Sequence, residues 1–134
     1  MTRGFEEEDE TAPTNRSYWE SKANKHTVAL ADQLLAIVRE FDPALELKYN
    51  KFYIGVAKNN RANNFVTFVP KKNTLNVEPR IRQAEEIDSK IASAGLETLG
   101  YDKIWGRYRI VLGKDDVTKH EGTLRELMRL AFEQ

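Results

Sequence analysis

The sequence predicts an α+β fold: an antiparallel meander sheet of five to six strands with three helices packed mainly on one face, in the order α-ββββ-α-β(β)-α. Three observations carry this prediction. Apolar residues recur at three- and four-residue intervals over 28–41, 84–94 and 124–132, the period of a helix with one buried stripe. Over 45–56 and again over 107–112 the period is two, as in half-buried strands. The first four strand segments are joined by short polar links, too short for the crossovers that parallel neighbours need.

Each element follows in turn. Ser17-Tyr18-Trp19-Glu20 matches a capping box and predicts a helix start. The helix continues through Val28, Leu30, Ala31, Leu34, Leu35, Ile37, Val38 and Phe41, and Asp42-Pro43 closes it because proline disfavours helical geometry in the residue before it. Leu45, Leu47 and Tyr49 then alternate with Glu46 and Lys48, and Phe52, Ile54 and Val56 alternate with Tyr53, Gly55 and Ala57, which predicts two strands joined around Asn50. Residues 58–63 read as a polar turn, Phe65 to Val69 as a third strand closed by Pro70, and Leu75 to Val77 as a fourth after the Lys71-Lys72-Asn73 turn. Ala84, Ile87, Ile91 and Ala94 return to helical spacing, with Gly95 as the stop. Residues 96–106 fit neither period. In 107–112, Tyr108, Ile110 and Leu112 fall on one side of a strand and Arg107 and Arg109 on the other. Thr118-Lys119-His120-Glu121, a second capping box, opens the last helix.

Composition narrows the function classes. A chain of 134 residues, 40% hydrophobic and 31% charged, fits one domain of ordinary size. The absence of cysteine removes disulfides, thiolate metal sites and thiol catalysis. The longest apolar stretches are too short to cross a bilayer and the N-terminus is acidic, so a cytoplasmic location without a membrane partner is expected. The balance of 21 basic and 21 acidic side chains hides an asymmetry. Glu6, Glu7, Glu8, Asp9 and Glu10 are consecutive, which leaves a net charge of +4 from Thr11 onward. Residues 1–16 are therefore expected to be a disordered acidic tail, and 17–134 a single α+β domain. Between Lys48 and Arg82, eight basic side chains face Glu78 alone, a net of +7.

Catalytic signatures are sparse. His26 and His120 sit at helical positions and read as ordinary, partly exposed residues, and no Gly-x-Ser-x-Gly elbow accompanies them. Gly95 and Gly100 have the separation of a phosphate loop, but Tyr101-Asp102 follows where a lysine is required. No catalytic residue, cofactor or metal is expected. Glu46-Leu47-Lys48 is half of a metal-dependent nuclease signature, in which two carboxylates hold Mg²⁺ and a lysine stabilises the attacking water. The second carboxylate is not in place, since Asp32 lies within a helix and Asp42 at its end. A Mg-dependent nuclease centred on Glu46 and Lys48, and a self-associating structural domain, are the two rival readings.

Cations interleaved with aromatics on a sheet suit nucleic acid, because cations follow phosphates and rings stack on bases. Tyr49, Phe52, Tyr53, Phe65 and Phe68 are mixed into the +7 segment, although Phe52, Phe65 and Phe68 occupy core positions and only Tyr53 faces the other way. The predicted binding surface is Lys48, Lys51, Tyr53, Lys58, Arg61, Lys71, Lys72, Arg107 and Arg109. Its expected partner is nucleic acid or another protein. Trp105, before Gly106, reads as a core or rim aromatic.

Tyr-Asn-Lys-Phe-Tyr-Ile-Gly-Val-Ala-Lys at 49–58, Asn-Phe-Val-Thr-Phe-Val-Pro-Lys-Lys at 64–72 and Leu-Asn-Val at 75–77 resemble the DUF5655 family of bacterial domains. Trp105-Gly106, the strand to Leu112 and the helix from Leu124 to Phe132 are similar to that family's later parts, so the resemblance spans about 28–132. Glu86-Ile87-Asp88-Ser89 and Arg107 stand where the family has an Asp-Pro step and a glycine-rich stretch. The resemblance implies no established activity and supplies no catalytic residue. It implies a non-enzymatic accessory domain, because members are often appended to restriction-type or DNA-modification proteins. A transport label borne by some members has no counterpart in this sequence.

Overall fold

A computed structural model describes residues 14–134 of the chain. The elements are α1 (Arg16–Lys22), α2 (Lys25–Val38), β1 (Leu45–Tyr49), β2 (Ile54–Lys58), β3 (Arg61–Ala62), β4 (Val66–Pro70), β5 (Leu75–Pro79), α3 (Glu85–Ala94), β6 (Glu97–Asp102), β7 (Arg107–Leu112), α4 (Asp116–Lys119) and α5 (Glu121–Glu133). The fold is α+β, with an open antiparallel sheet in the order β1-β2-β4-β5-β7-β6 and the two-residue β3 paired to β2. After β5 the chain crosses through α3 to the outer edge as β6, then turns back so that β7 fills the place between β6 and β5.

The first predicted helix is two helices. Asn15, not Ser17, caps α1, its side chain accepting the Tyr18 N–H at 3.0 Å. Ala23 leaves helical geometry and Asn24 caps α2 through the His26 N–H at 2.9 Å. Asparagine side chains supply both caps, and Ser17 is left inside the first turn of α1. The second predicted box also shifts. Thr118 lies inside α4, and α5 starts after His120 without a side-chain cap. The expected tail over 1–16 falls largely outside the described residues, whereas Asn15 and Arg16 belong to the first helix and its cap.

Trp19 is fully buried, and its indole N–H donates to the Asn50 carbonyl at 2.8 Å, fastening α1 to the β1–β2 turn. Arg16 forms an ion pair with Asp32 and joins α1 to α2. Leu45, Ile54, Val56, Phe68, Leu75, Val77, Ile110 and Leu112 line the inner sheet face with the stripes of α2 and α5 against them. The Asn59-Asn60 turn between β2 and β3 has φ of +54° and +66°, the left-handed pair a tight hairpin turn demands and asparagine tolerates. Gly95 ends α3 at φ +74°, as its position predicts. Among the described residues no helix is long and apolar enough to cross a membrane.

Candidate functional site

The two faces of the sheet differ in kind. Side chains alternate, so the residues opposite the helix-covered set are Glu46, Lys48, Gly55, Ala57, Thr67, Val69, Asn76, Glu78, Arg107, Arg109, Val111 and, on β6, Asp102 beside Arg107. Among the described residues, none of the hydrogen bonds these side chains make goes to a helix. The register sets Lys48 beside Gly55, Thr67 beside Glu78, and Asn76 between Val69 and Val111. Continued by one residue, the β5–β7 register brings Glu78 beside Arg109.

Tyr53 precedes β2 and its ring edge lies over Gly55. A Cβ on Gly55 would stand 3.2 Å from Tyr53 Cε2 and 2.3 Å from Asn64 Oδ1, so this site requires glycine for close approach. Asn64 Oδ1 accepts the Val56 N–H at 3.1 Å. The Arg107 guanidinium donates to the Asn64 carbonyl at 2.7 Å and the Glu78 carbonyl at 2.8 Å. Arg109 donates to the Leu99 carbonyl at 2.7 Å. Both guanidinium groups are thus held over the face by backbone, with charge left to offer a ligand.

Glu78 lies among these cations, and burial pushes its carboxyl above the usual glutamate range; Arg107 and Arg109 pull the other way with less effect. Their donors are engaged by carbonyls, so the carboxylate gains their field without a short ion pair. Burial likewise lowers the Arg107 guanidinium, with the Arg80 charge acting in the same direction. Thr67 and Asn76 are buried, and among the described residues their side chains make no hydrogen bond.

The nine predicted binding residues separate into three groups. Lys48, Tyr53, Arg107 and Arg109 belong to this face, and Lys71 is near enough for its charge to act at Glu78. Lys51 and Lys72 occupy turns at one end of the sheet, where the Lys51 carbonyl accepts the Tyr18 hydroxyl and the Lys71 carbonyl accepts the Thr27 hydroxyl at 2.7 Å. Lys58 and Arg61 flank the hairpin turn at the opposite end, and Lys58 is engaged by Asp42 at 2.8 Å.

Two aromatics stand elsewhere than expected. Phe52 is 61% exposed, because the Asn50 N–H bonds the Tyr53 carbonyl and turns the chain before β2 begins. The Lys22 and Lys51 ammonium groups lie 5.7 and 5.0 Å from its ring centroid. Trp105 is 70% exposed at the tip of the β6–β7 hairpin beside Ile104, in a turn shaped by Asp102 accepting both their N–H groups. Asn64, Glu78, Thr67 and Asn76 are the site members that residue type alone missed. The usable signal was Glu78, the single acid in a basic segment.

Glu46 is exposed opposite Ala57, while Asp42 is engaged by Lys58 and Asp32 by Arg16. Among the described residues no group of three His, Asp or Glu side chains is placed to hold a metal. The chain matches no family model, no curated protein and no solved structure.

Proposed function

We propose that the helix-free sheet face binds single-stranded nucleic acid and that the protein is a non-enzymatic accessory module in a bacterial DNA-processing or defence setting, as the DUF5655 resemblance implies. The observation that carries this is the Tyr53 ring over Gly55 beside two arginines pinned by backbone carbonyls. A ring held against a sheet offers a stacking surface, and pinned guanidinium groups meet phosphate without loss of side-chain freedom. Lys48 and Lys71, which have no ion-pair partner among the described residues, extend the track beyond them.

Fluorescence anisotropy with single-stranded and duplex DNA and RNA at low salt tests the proposal. Single strands bind tighter than duplex, and the logarithm of the association constant falls linearly with that of salt. Reversing Lys71 and Lys72 to glutamate weakens binding at least tenfold. No binding, or affinity indifferent to that reversal, overturns the reading.

The exposed Leu99 on edge strand β6 and Ile104 and Trp105 at the tip of its hairpin favour a second reading, a protein partner at that edge. Sedimentation across concentration separates self-association there from a monomer that recruits a different protein.

A further inference from the structure

The ladder between β6 and β7 slips between Thr98 and Gly100, and Gly100 adopts φ +91°. This bulge and the small side chains around it leave a solvent-open groove of about 350 Å³ beside α3, with Gln83, Asp88, Ala92 and Thr98 exposed at its rim. Ile91, Leu96, Tyr101 and Tyr108 give it apolar walls, and Asp88 is the only charged residue among those lining it. The two tyrosine rings meet edge to face with centroids 4.8 Å apart.

Most polar groups around the groove are already engaged. The Tyr101 hydroxyl donates to the Ile81 carbonyl at 2.8 Å. The Tyr108 hydroxyl accepts the Ala84 N–H at 2.9 Å and donates to Asp88 Oδ1 at 2.8 Å. Thr98 donates to the Arg109 carbonyl and accepts the Gly100 N–H. Asp88 Oδ2 and the Gln83 amide remain without a hydrogen bond among the described residues. The groove therefore presents one anchored carboxylate, its free oxygen available, above an aromatic and aliphatic floor.

We propose that this groove is a binding site for a primary alkylammonium group, with the ammonium on Asp88 Oδ2 and the alkyl stem against Ile91, Leu96 and the tyrosines. An anion would meet the carboxylate with like charge, and a neutral apolar ligand would gain nothing from it. An ammonium offers three donors to the carboxylate and the Gln83 carbonyl, and tyrosine rings attract cations. The site lies on the helix-covered side of the sheet and does not depend on the nucleic-acid reading.

The test is an NMR titration of the full chain with hexylammonium and, as a neutral match, hexan-1-ol. Hexylammonium shifts the amides of 88–101 and saturates, and hexanol binds at least tenfold more weakly. Asp88→Asn keeps an acceptor for Tyr108 yet loses the preference for the ammonium. If that variant fails to fold, Ala92→Leu, on the exposed side of α3, fills the groove and abolishes the shifts. Cadaverine and an acetylated, amidated lysine peptide identify the source, a free amine or a lysine side chain, by whichever binds tighter. Equal binding of hexanol and hexylammonium, retained preference in Asp88→Asn, or no saturation overturns the proposal.

Discussion

Arg107 donates to the backbone carbonyl of Glu78 at 2.8 Å, and no ion pair links it to the Glu78 carboxylate among the described residues. The guanidinium serves as a strut between β5, β7 and the segment before β4. The carboxylate it passes is left half-buried and short of donors, and this arrangement governs how the face responds to protons and phosphates.

Glu78 should make polyanion binding pH-dependent. Its carboxyl sits above the ordinary value of 4.5 through burial. Affinity for single-stranded DNA rises as pH falls toward that raised value, since protonation removes a negative charge that sits with Asp102 among the arginines. Glu78→Gln tightens binding at neutral pH and flattens the profile, measured by anisotropy at constant ionic strength. The sign for stability is the same: this group's favourable contribution is complete below 4.5 and lost as pH rises through the raised value. In urea titrations Glu78→Gln therefore gains on the wild type toward neutral pH.

Gly55→Ala places a Cβ 2.3 Å from Asn64 Oδ1. Asn64 must move, and the Val56 N–H it satisfies loses its acceptor. The expected cost is about 1–3 kcal/mol in a urea titration, the usual range for overpacking a tight site. Tyr53 also lifts from the strand, so nucleic-acid affinity falls in the fraction that remains folded.

Trp19→Phe opens a gap in the core and removes the donor to the Asn50 carbonyl. A loss of about 1–3 kcal/mol follows from an unsatisfied acceptor and lost packing. The same variant leaves Trp105 as the only tryptophan, so acrylamide quenches its emission almost completely, whereas Trp105→Phe leaves a protected signal from Trp19.

Acid should release the Asp42–Lys58 contact. The Lys58 ammonium, helped by the Ala44 N–H, holds the Asp42 carboxyl below the ordinary 3.8. Its contribution is present above 3.8 and disappears as pH falls through the lowered value. The stability difference between wild type and Asp42→Asn narrows over that interval, followed by thermal melts at successive pH values.

Fold class and strand positions could be read from the chain because one sheet face and one stripe of each helix are uniformly apolar. Leu45, Ile54, Val56, Tyr108, Ile110 and Leu112 carry that pattern without exception. Helix starts were misplaced because a Ser-x-x-Glu spacing competes with any nearby asparagine, and Asn15 and Asn24 took the caps. The sequence marks β6 only as the optional strand of the order α-ββββ-α-β(β)-α, because nearly every residue in it meets solvent and no alternation defines it. Charge density along the chain identified a basic segment, but strand direction then distributed it: Lys71 and Lys72 to one end, Lys58 and Arg61 to the other. Nothing in residue type foretold that Arg107 and Arg109 would be fastened by carbonyls of neighbouring strands, because such bonds depend on register alone.

The insertion of β7 between β5 and β6 gives the outer ribbon a single seam of attachment. Within that ribbon β6 is held by β7 alone, through a ladder that slips between Thr98 and Gly100, so its amides trade deuterium before those of β7, and its fraying leaves Ile110 and Leu112 seated against β5. Fraying of that one edge thus loosens the Thr98–Gly100 wall of the groove under α3 without opening the whole molecule.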